Sequence, residues 1–246
     1  MDSKLPLGGL DALWVYLSTS PLLHLTLTLL VYLIADALFQ RSGRKALLNP
    51  VLVSILTLVG LLMATGTDYH TYFDGAQFIH FLLGPATVAL AVPLYRHLGL
   101  IRRLWLPILI AIAAGALVSA TSAVLIADGL GASQQTLVSL APKSVTTPVA
   151  MGIAEKVGGL PSLTAALVVL TGVLGAVIGP AVLSAVRVRD DRARGLAMGV
   201  SAHGIGTARA LQISGEAGAF AALGMGLMAL TSSVILPLVL RWVFSA

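Results

Sequence analysis

The stretch Ala141-Pro142-Lys143-Ser144-Val145-Thr146-Thr147-Pro148-Val149-Ala150 decides how this chain folds. It carries a lysine, three hydroxyl groups and two prolines, and apolar sequence continues on both sides of it. Each proline removes a backbone donor and disfavours helix at the residue before it, so the backbone between them should be unwound. Unwound backbone and a charge at membrane depth persist only where protein or a water-filled cavity satisfies them. The stretch therefore indicates one half of a ligand site within a membrane protein.

Composition supports a membrane location for the whole chain. Of the 246 residues, 57% are hydrophobic and 10% are charged, whereas soluble domains average about 25% charged residues. We predict a single-domain, all-α polytopic membrane protein with about six to eight transmembrane segments of about 20 residues each. The absence of cysteine excludes disulfides and thiolate chemistry. The net charge of +5 comes from arginines in short loops, which orient membrane proteins, so no nucleic-acid partner is expected.

The apolar segments can be placed along the chain. After an interfacial N-terminal segment at residues 1–20, they cover about 21–40, 48–66, 81–95, 104–126, 134–157, 161–186, 195–214 and 217–241.

The basic loops restrict how these segments cross. If all eight crossed completely, Arg187–Arg194 would lie opposite Arg41–Lys45 and Arg96–Arg103, against the enrichment of Lys and Arg in cytoplasmic loops. If 134–157 and 195–214 are instead hairpins entering from opposite faces, the loops share one side, as in an inverted repeat. We therefore predict two discontinuous helices in candidate repeats 134–186 and 195–241. Broken but complete crossings are the alternative.

A later stretch, Ser201-Ala202-His203-Gly204-Ile205-Gly206-Thr207-Ala208-Arg209-Ala210, echoes the first at an offset of sixty residues. The offset pairs Lys143 with His203 and Thr147 with Thr207. Glycines permit close approach of a ligand, and an arginine can hold a carboxylate through two hydrogen bonds. The alternatives are that His203 is a packing residue and that Arg209 pairs with Glu216 or extends to the interface.

Together the two stretches indicate an anion pocket, since Pro148 can also begin a half-helix whose amino end attracts anions. An extramembrane loop between two short helices is the alternative for the first stretch. The candidate substrate-binding residues are Lys143, Ser144, Thr146, Thr147, His203, Gly204, Thr207 and Arg209. Candidates for coupling to H⁺ or Na⁺ are His203, Glu216 and Glu155, although solvation of helix ends equally explains both glutamates. No metal site or cofactor is expected, and no catalytic motif indicates an enzyme.

These motifs resemble the LrgB/CidB family. The likeness lies in Pro142–Pro148, Gly195-Leu196-Ala197-Met198-Gly199 and His203–Arg209, and it extends over about residues 45–240. The glycines of the second motif are also typical of close helix packing.

The resemblance implies a location and two functions. It implies a multi-pass protein of the bacterial inner (plasma) membrane, with an LrgA/CidA-type membrane partner, and close-packing glycines suggest a homo-oligomer. A related plastid protein carries glycolate and glycerate, which implies a secondary transporter of small monocarboxylates such as glycolate, glycerate, pyruvate or lactate. The family's holin-like members imply the alternative, a holin- or antiholin-like modulator of murein hydrolase export and cell lysis.

Overall fold

The computed structural model describes residues 20–82, 85, 88–89 and 91–244, and the regular structure of this part of the chain is entirely helical. The all-α prediction is confirmed. The predicted interfacial segment lies outside the described residues except for Ser20, and the predicted span at 81–95 lies partly outside them. The chain divides into two compact units, Met1–Ala89 and Leu90–Ala246.

Among its described residues the first unit contains three helices, α1 (Pro21–Arg41), α2 (Pro50–Thr65) and α3 (Tyr69–Phe81), and a short 3₁₀ turn at Ala46–Leu48. The side chain of Asn49 caps α2 by accepting hydrogen bonds from the amides of Val51 and Leu52 at 3.0 and 3.3 Å. Helices α1 and α3 pack closely, since a Cβ at Gly75 would lie 2.2 Å from the carbonyl oxygen of Pro21.

The second unit contains the predicted breaks. Its helices are α4 (Ala91–Arg96), α5 (Leu98–Arg103), α6 (Trp105–Gly129), α7 (Gln134–Leu140), α8 (Thr147–Lys156), α9 (Pro161–Ala185), α10 (Asp191–Ile213) and α11 (Gly215–Phe244).

Four helices of the described residues are long and apolar enough to cross a membrane: α1, α6, α9 and, within α11, Gly215–Val243. Their outward faces are apolar, with Leu117, Leu125 and Leu230 exposed by 65%, 69% and 67%. Exposed apolar area of this kind marks a surface that lipid or a partner covers. The chain is therefore a multi-pass membrane protein.

Helix α10 folds back on itself at residues 202 and 203. Ala202 and His203 leave helical geometry, with φ/ψ of −126°/15° and 42°/−130°. A Cβ placed at Gly206 would lie 2.5 Å from the carbonyl oxygen of Met198, more than two turns earlier. In a continuous helix these residues would be about 12 Å apart, so the two arms of α10 form a hairpin.

Contacts with α11 give the direction of the first arm of α10. Gly195 lies against Ala217, and Gly199 lies against Ala221, with hypothetical Cβ atoms 2.0 Å from each carbonyl oxygen. The first arm therefore runs parallel to α11.

The second arm runs the opposite way along α11. Thr207 reaches the sulfur of Met225 at 3.9 Å, and the later Leu211 lies against the earlier Gly218. Both ends of α10 therefore lie at the end of the unit where α11 begins.

Helices α7 and α8 form a second hairpin. Val149 packs in a cluster with Ala229, midway along α11. At its other end α8 accepts a hydrogen bond, from Arg241 to the carbonyl of Lys156 at 3.2 Å. Helix α8 therefore runs beside the second half of α11 and finishes where α11 ends.

The direction of α6 shows that this hairpin also enters and leaves at one end. Ile108 packs in a cluster with Phe220, early in α11, whereas Val124 packs with Leu240, late in α11. Since α6 and α11 are parallel, the loop that leads from α6 into α7 lies at the end to which α8 returns. The two hairpins thus enter from opposite ends, as an inverted repeat predicts; the division into repeats 134–186 and 195–241 stays a prediction.

Charge differs between the two ends of the second unit. Six arginines lie where α6 and α10 begin, an end we call the basic end: Arg102, Arg103, Arg187, Arg189, Arg192 and Arg194. The other end, which we call the opposite end, has Asp128, Glu155, Lys156 and Arg241. The enrichment of Lys and Arg in cytoplasmic loops predicts that the basic end is cytoplasmic.

Candidate functional site

Lys143 lies in the turn between α7 and α8 and is bonded to α6. Its ammonium donates to the carbonyl oxygen of Ser119 at 3.0 Å and to the hydroxyl of Ser119 at 2.9 Å. The same hydroxyl is 2.7 Å from that of Ser144. Pro142 and Pro148 explain why this turn exists, because the chain cannot remain helical through both.

Ser119 places the group near the middle of α6, a helix long and apolar enough to cross a membrane. It lies about 21 Å along α6 from Trp105 and about 15 Å from Gly129, at 1.5 Å per residue. The tip of the α10 hairpin, at His203, is about 18 Å from the start of its helix at Asp191. Both hairpins therefore reach a similar depth from opposite ends.

A cavity of about 510 Å³ adjoins Lys143. Its polar lining comes from both hairpins and from the two long helices α6 and α9: Ser119, Lys143, Ser144, Thr171 and Ser201. The remaining lining is apolar and extends along α9 to Val182 and Leu183, near the basic end. The polar groups therefore cluster in one part of a largely apolar cavity that leads toward the basic end.

A second cavity of about 420 Å³ lies between α6 and the first arm of α10. It shares Ser119, Ala197 and Ser201 with the first and extends to Ala193, close to the basic end. Its lining contains no charged side chain.

Among the residues that the structure describes, Lys143 is the one charged side chain that lines either of these two cavities. Within the described part of the chain, the recorded ion pair joins Arg192 to Asp190, and no carboxylate lies within ion-pair distance of Lys143. A lysine at this depth is costly unless it is compensated, so the arrangement suits a ligand that brings a negative charge.

His203 lies at the tip of the α10 hairpin but faces α9. Its Nε2 is 2.9 Å from the carbonyl oxygen of Val168. The ring fills the space over Gly172, where an added Cβ would lie 2.6 Å from the imidazole. His203 is 5% exposed and lines neither cavity. Its contacts are those of the packing histidine that the sequence left as an alternative.

The remaining candidates of the second stretch lie away from Lys143. The hydroxyl of Thr207 is buried and donates to the carbonyl of His203 at 2.8 Å. Arg209 donates to the side chain of Gln212 at 2.9 Å, on the arm that returns to the basic end. Gly204 is exposed. None of the three lines either cavity.

Four further candidates lie on helix ends. Thr146 is the N-cap residue of α8, Thr147 is its first residue, and neither lines the two cavities. Glu155 is exposed near the end of α8, and Glu216 lies in the first turn of α11. The structure therefore brings together Lys143 and Ser144 of the candidates and leaves the two glutamates at opposite ends of the unit.

Sequence reasoning missed three polar residues that line the cavity, Ser119, Thr171 and Ser201. Ser119 and Thr171 are two of several hydroxyl residues within the apolar helices α6 and α9, and such residues are common in membrane spans. Ser201 was part of the second stretch but was not singled out there. Its hydroxyl donates to the carbonyl of Ala197 at 2.7 Å, which leaves its lone pairs for the cavity.

Spanning helices and two opposed hairpins, with the turn of one and the first arm of the other lining one cavity around a lysine, define a polytopic membrane protein with a discontinuous-helix site. The chain belongs to the LrgB-like family, whose model matches residues 28–242. The recognition made from the motifs is confirmed, as is the expected plasma-membrane location.

The sequences of related proteins align with this chain along nearly their whole length. YwbG of Bacillus subtilis (strain 168) is 38% identical over 221 residues, covering 90% of this chain and 98% of YwbG. The holin-like protein CidB of Staphylococcus aureus (strain Mu50 / ATCC 700699) is 32% identical over 219 residues, covering 89% of this chain and 95% of CidB. The CidB name supports the holin-like function better than carboxylate transport, and it is not the name of an enzyme. No solved structure matches the chain.

Proposed function

We propose that this protein is a secondary carrier of small monocarboxylates, with a holin-like function as the second candidate. The carrier proposal comes from the geometry of the second unit. The holin-like candidate comes from the name of the CidB relatives, which favours it over the carrier.

One observation carries the first candidate: the ammonium of Lys143 has no carboxylate partner in the described residues and lines a cavity near mid-depth. A fixed cation among hydroxyls suits a defined anion, whereas a wide aqueous pore does not need one. The cavity volume of about 510 Å³ accommodates an acid of two or three carbons.

Opposed hairpins suit alternating access. In carriers with inverted repeats, discontinuous helices bind the substrate near the midplane, and one part of the bundle moves against the other around that site. In this structure the cavity leads toward the basic end, while Ile153, Leu236 and Leu240 pack together between Lys143 and the opposite end. We propose that this apolar cluster closes the opposite end in the conformation observed.

The test is uptake of labelled glycolate, glycerate, lactate and pyruvate into proteoliposomes, with leakage of a neutral dye measured in parallel. The carrier predicts saturable uptake in which the acids compete. Lys143→Ala should lower uptake at least about tenfold, because it removes a charged hydrogen-bond donor from the site. Lys156→Ala, which changes an exposed lysine at the end of α8, is the matched control and should transport normally.

The same measurement distinguishes the carrier from the holin-like function. Dye leakage together with uptake that does not saturate supports the holin-like function. Dye leakage together with a Lys143→Ala uptake rate equal to that of the wild type supports it as well. If the chain alone shows neither, the same measurement is repeated with an LrgA/CidA-type partner in the membrane, which we propose as a subunit.

A further inference from the structure

We infer that Ser119 of α6 is a positioning residue: it holds Lys143 and Ser144 so that each offers one hydrogen-bond donor to the same carboxylate group. We call this pair of donors the two-donor seat. This inference rests on the proposed carrier function. It adds a residue from outside both hairpins and gives a structural reason why the substrate carries one carboxylate.

The hydrogen bonds of Lys143 leave one donor for a ligand. An ammonium has three N–H groups. Two of them are directed to Ser119, to its carbonyl oxygen at 3.0 Å and to its hydroxyl at 2.9 Å. The third N–H has no recorded acceptor among the described residues, and Lys143 lines the cavity.

The two serines leave a second donor. Their hydroxyl oxygens are 2.7 Å apart, and this bond uses one of the two hydroxyl hydrogens whichever serine donates. Ser119 accepts from Lys143 in either case. The other hydroxyl hydrogen has no recorded acceptor in the described part of the chain, and both serines line the cavity.

The seat therefore presents one charged N–H on Lys143 and, when Ser119 donates the bond between the serines, one O–H on Ser144, and both residues are hydrogen-bonded to the side chain of Ser119. A carboxylate has two acceptor oxygens, so each can receive one of these donors. A second carboxylate on the same ligand would find no cation among the described residues, of which Lys143 is the one charged residue lining the two cavities. Monocarboxylates should bind, and dicarboxylates of similar length should not.

Ser119 is suited to this role because it belongs to the unbroken helix α6. Lys143 and Ser144 lie in a turn whose backbone is closed by hydrogen bonds from the amide of Lys143 to the carbonyl of Leu140 and from the amide of Val145 to the carbonyl of Pro142, each at 3.0 Å. These bonds fix the backbone of the turn but not the two side chains. Bonds from both residues to one serine on a long helix hold the donors at a fixed spacing. Removing the Ser119 hydroxyl should therefore weaken substrate binding more than it slows turnover.

The test compares uptake kinetics in proteoliposomes for Ser119→Ala, Ser119→Thr, Ser144→Ala and the double alanine variant. Ser119→Ala should raise the KM for glycolate or pyruvate about tenfold, with kcat changed less than about twofold. Ser119→Thr restores the hydroxyl and should return KM to within about threefold of the wild type. Because both alanine variants disrupt one two-donor seat, the double variant should not be additive.

Thr121→Ala is the control, since Thr121 lies on the same helix and its hydroxyl donates to the carbonyl of Leu117 at 2.6 Å. Its KM should equal that of the wild type. A wild-type KM in Ser119→Ala, or fully additive effects in the double variant, overturns the inference and leaves the carrier proposal intact. Wild-type protein without saturable uptake, alone or with its partner, overturns both. If Ser119→Ala does not fold, the KM of Ser144→Ala decides: a raised KM supports the two-donor seat, and a KM equal to that of the wild type overturns it.

Discussion

Gly199 of α10 touches the backbone of α11 at Ala221: a Cβ at Gly199 would lie 2.0 Å from the carbonyl oxygen of Ala221. Gly195 makes the same approach to Ala217 one turn earlier. Small residues at this spacing let two membrane helices pack at backbone distance. The close-packing function predicted for Gly195–Gly199 is confirmed.

Gly199→Ala should therefore destabilise the second unit. The added methyl group meets a backbone atom and cannot be accommodated by a rotamer change, so we expect a loss of about 1–3 kcal/mol in the free energy of unfolding. Gly226→Ala is the control on α11, because its Cβ would have no atom within 4 Å. Thermal unfolding in detergent measures both variants, and equal midpoints for the two would contradict the close contact.

Ser139 links the α7–α8 hairpin to the start of α9 through two hydrogen bonds. Its hydroxyl accepts from the amide of Leu160 at 2.8 Å, and its carbonyl oxygen accepts from the hydroxyl of Thr164 at 2.9 Å. Ser139→Ala leaves the amide of Leu160 without this acceptor and should cost about 1–3 kcal/mol of stability. Ser233→Ala, which removes an exposed hydroxyl bonded to Leu230 of its own helix, should cost much less. Similar losses in the two variants would contradict the proposed anchoring.

The N-cap residue of α10 is a charged one, Asp190. Asp190 accepts from the amides of Arg192 and Ala193 at 2.8 and 3.4 Å, and its hydrogen bonds with the Arg192 side chain lower its pKa to about 2 from 3.8. Because the folded pKa lies below the unfolded value, this stabilisation is complete above about pH 4 and is lost as the pH falls toward 2.

Asp190→Ala should accordingly lower stability by about 1 kcal/mol near neutral pH, with the difference from wild type shrinking between about pH 4 and pH 2. Thermal midpoints across this range measure the effect. A difference that is constant with pH would show that the carboxylate charge is not its source.

The hairpins also predict which loops are accessible from which side. Glu155→Cys reports the opposite end, and Arg189→Cys reports the basic end; both native residues are exposed, and the chain has no cysteine of its own. An impermeant thiol reagent should label Arg189→Cys from the cytoplasm and Glu155→Cys from the other side. Labelling of both from one side would rule out this topology.

The two breaks were predictable because prolines, glycines and cations within apolar sequence are locally incompatible with a plain membrane helix. Charge favoured hairpins, since complete crossings would have separated Arg187–Arg194 from the other basic loops, but the sequence left broken crossings open as the alternative. In the structure, Arg102 and Arg187 do lie at one end of the second unit.

The composition of the site was harder to predict. The sixty-residue offset placed Arg209 beside the other cations, but the fold-back at His203 carries Arg209 about 9 Å along the returning arm. The contact of Ser119 with Lys143 joins residues 24 apart through a turn whose geometry no local pattern specifies. A positive φ at His203, next to a glycine, is likewise a product of tertiary packing against α9.

The anchoring of Ser139 has a consequence for biosynthesis. Its partners Leu160 and Thr164 follow it by 21 and 25 residues, so they emerge from the ribosome later. The segment from α7 to α8 does not cross the bilayer and cannot be inserted as an independent span. We therefore expect this segment to insert fully only after α9 is in place. A nascent chain halted before residue 160 should therefore leave this segment exposed to proteases, whereas one halted after α9 should protect it.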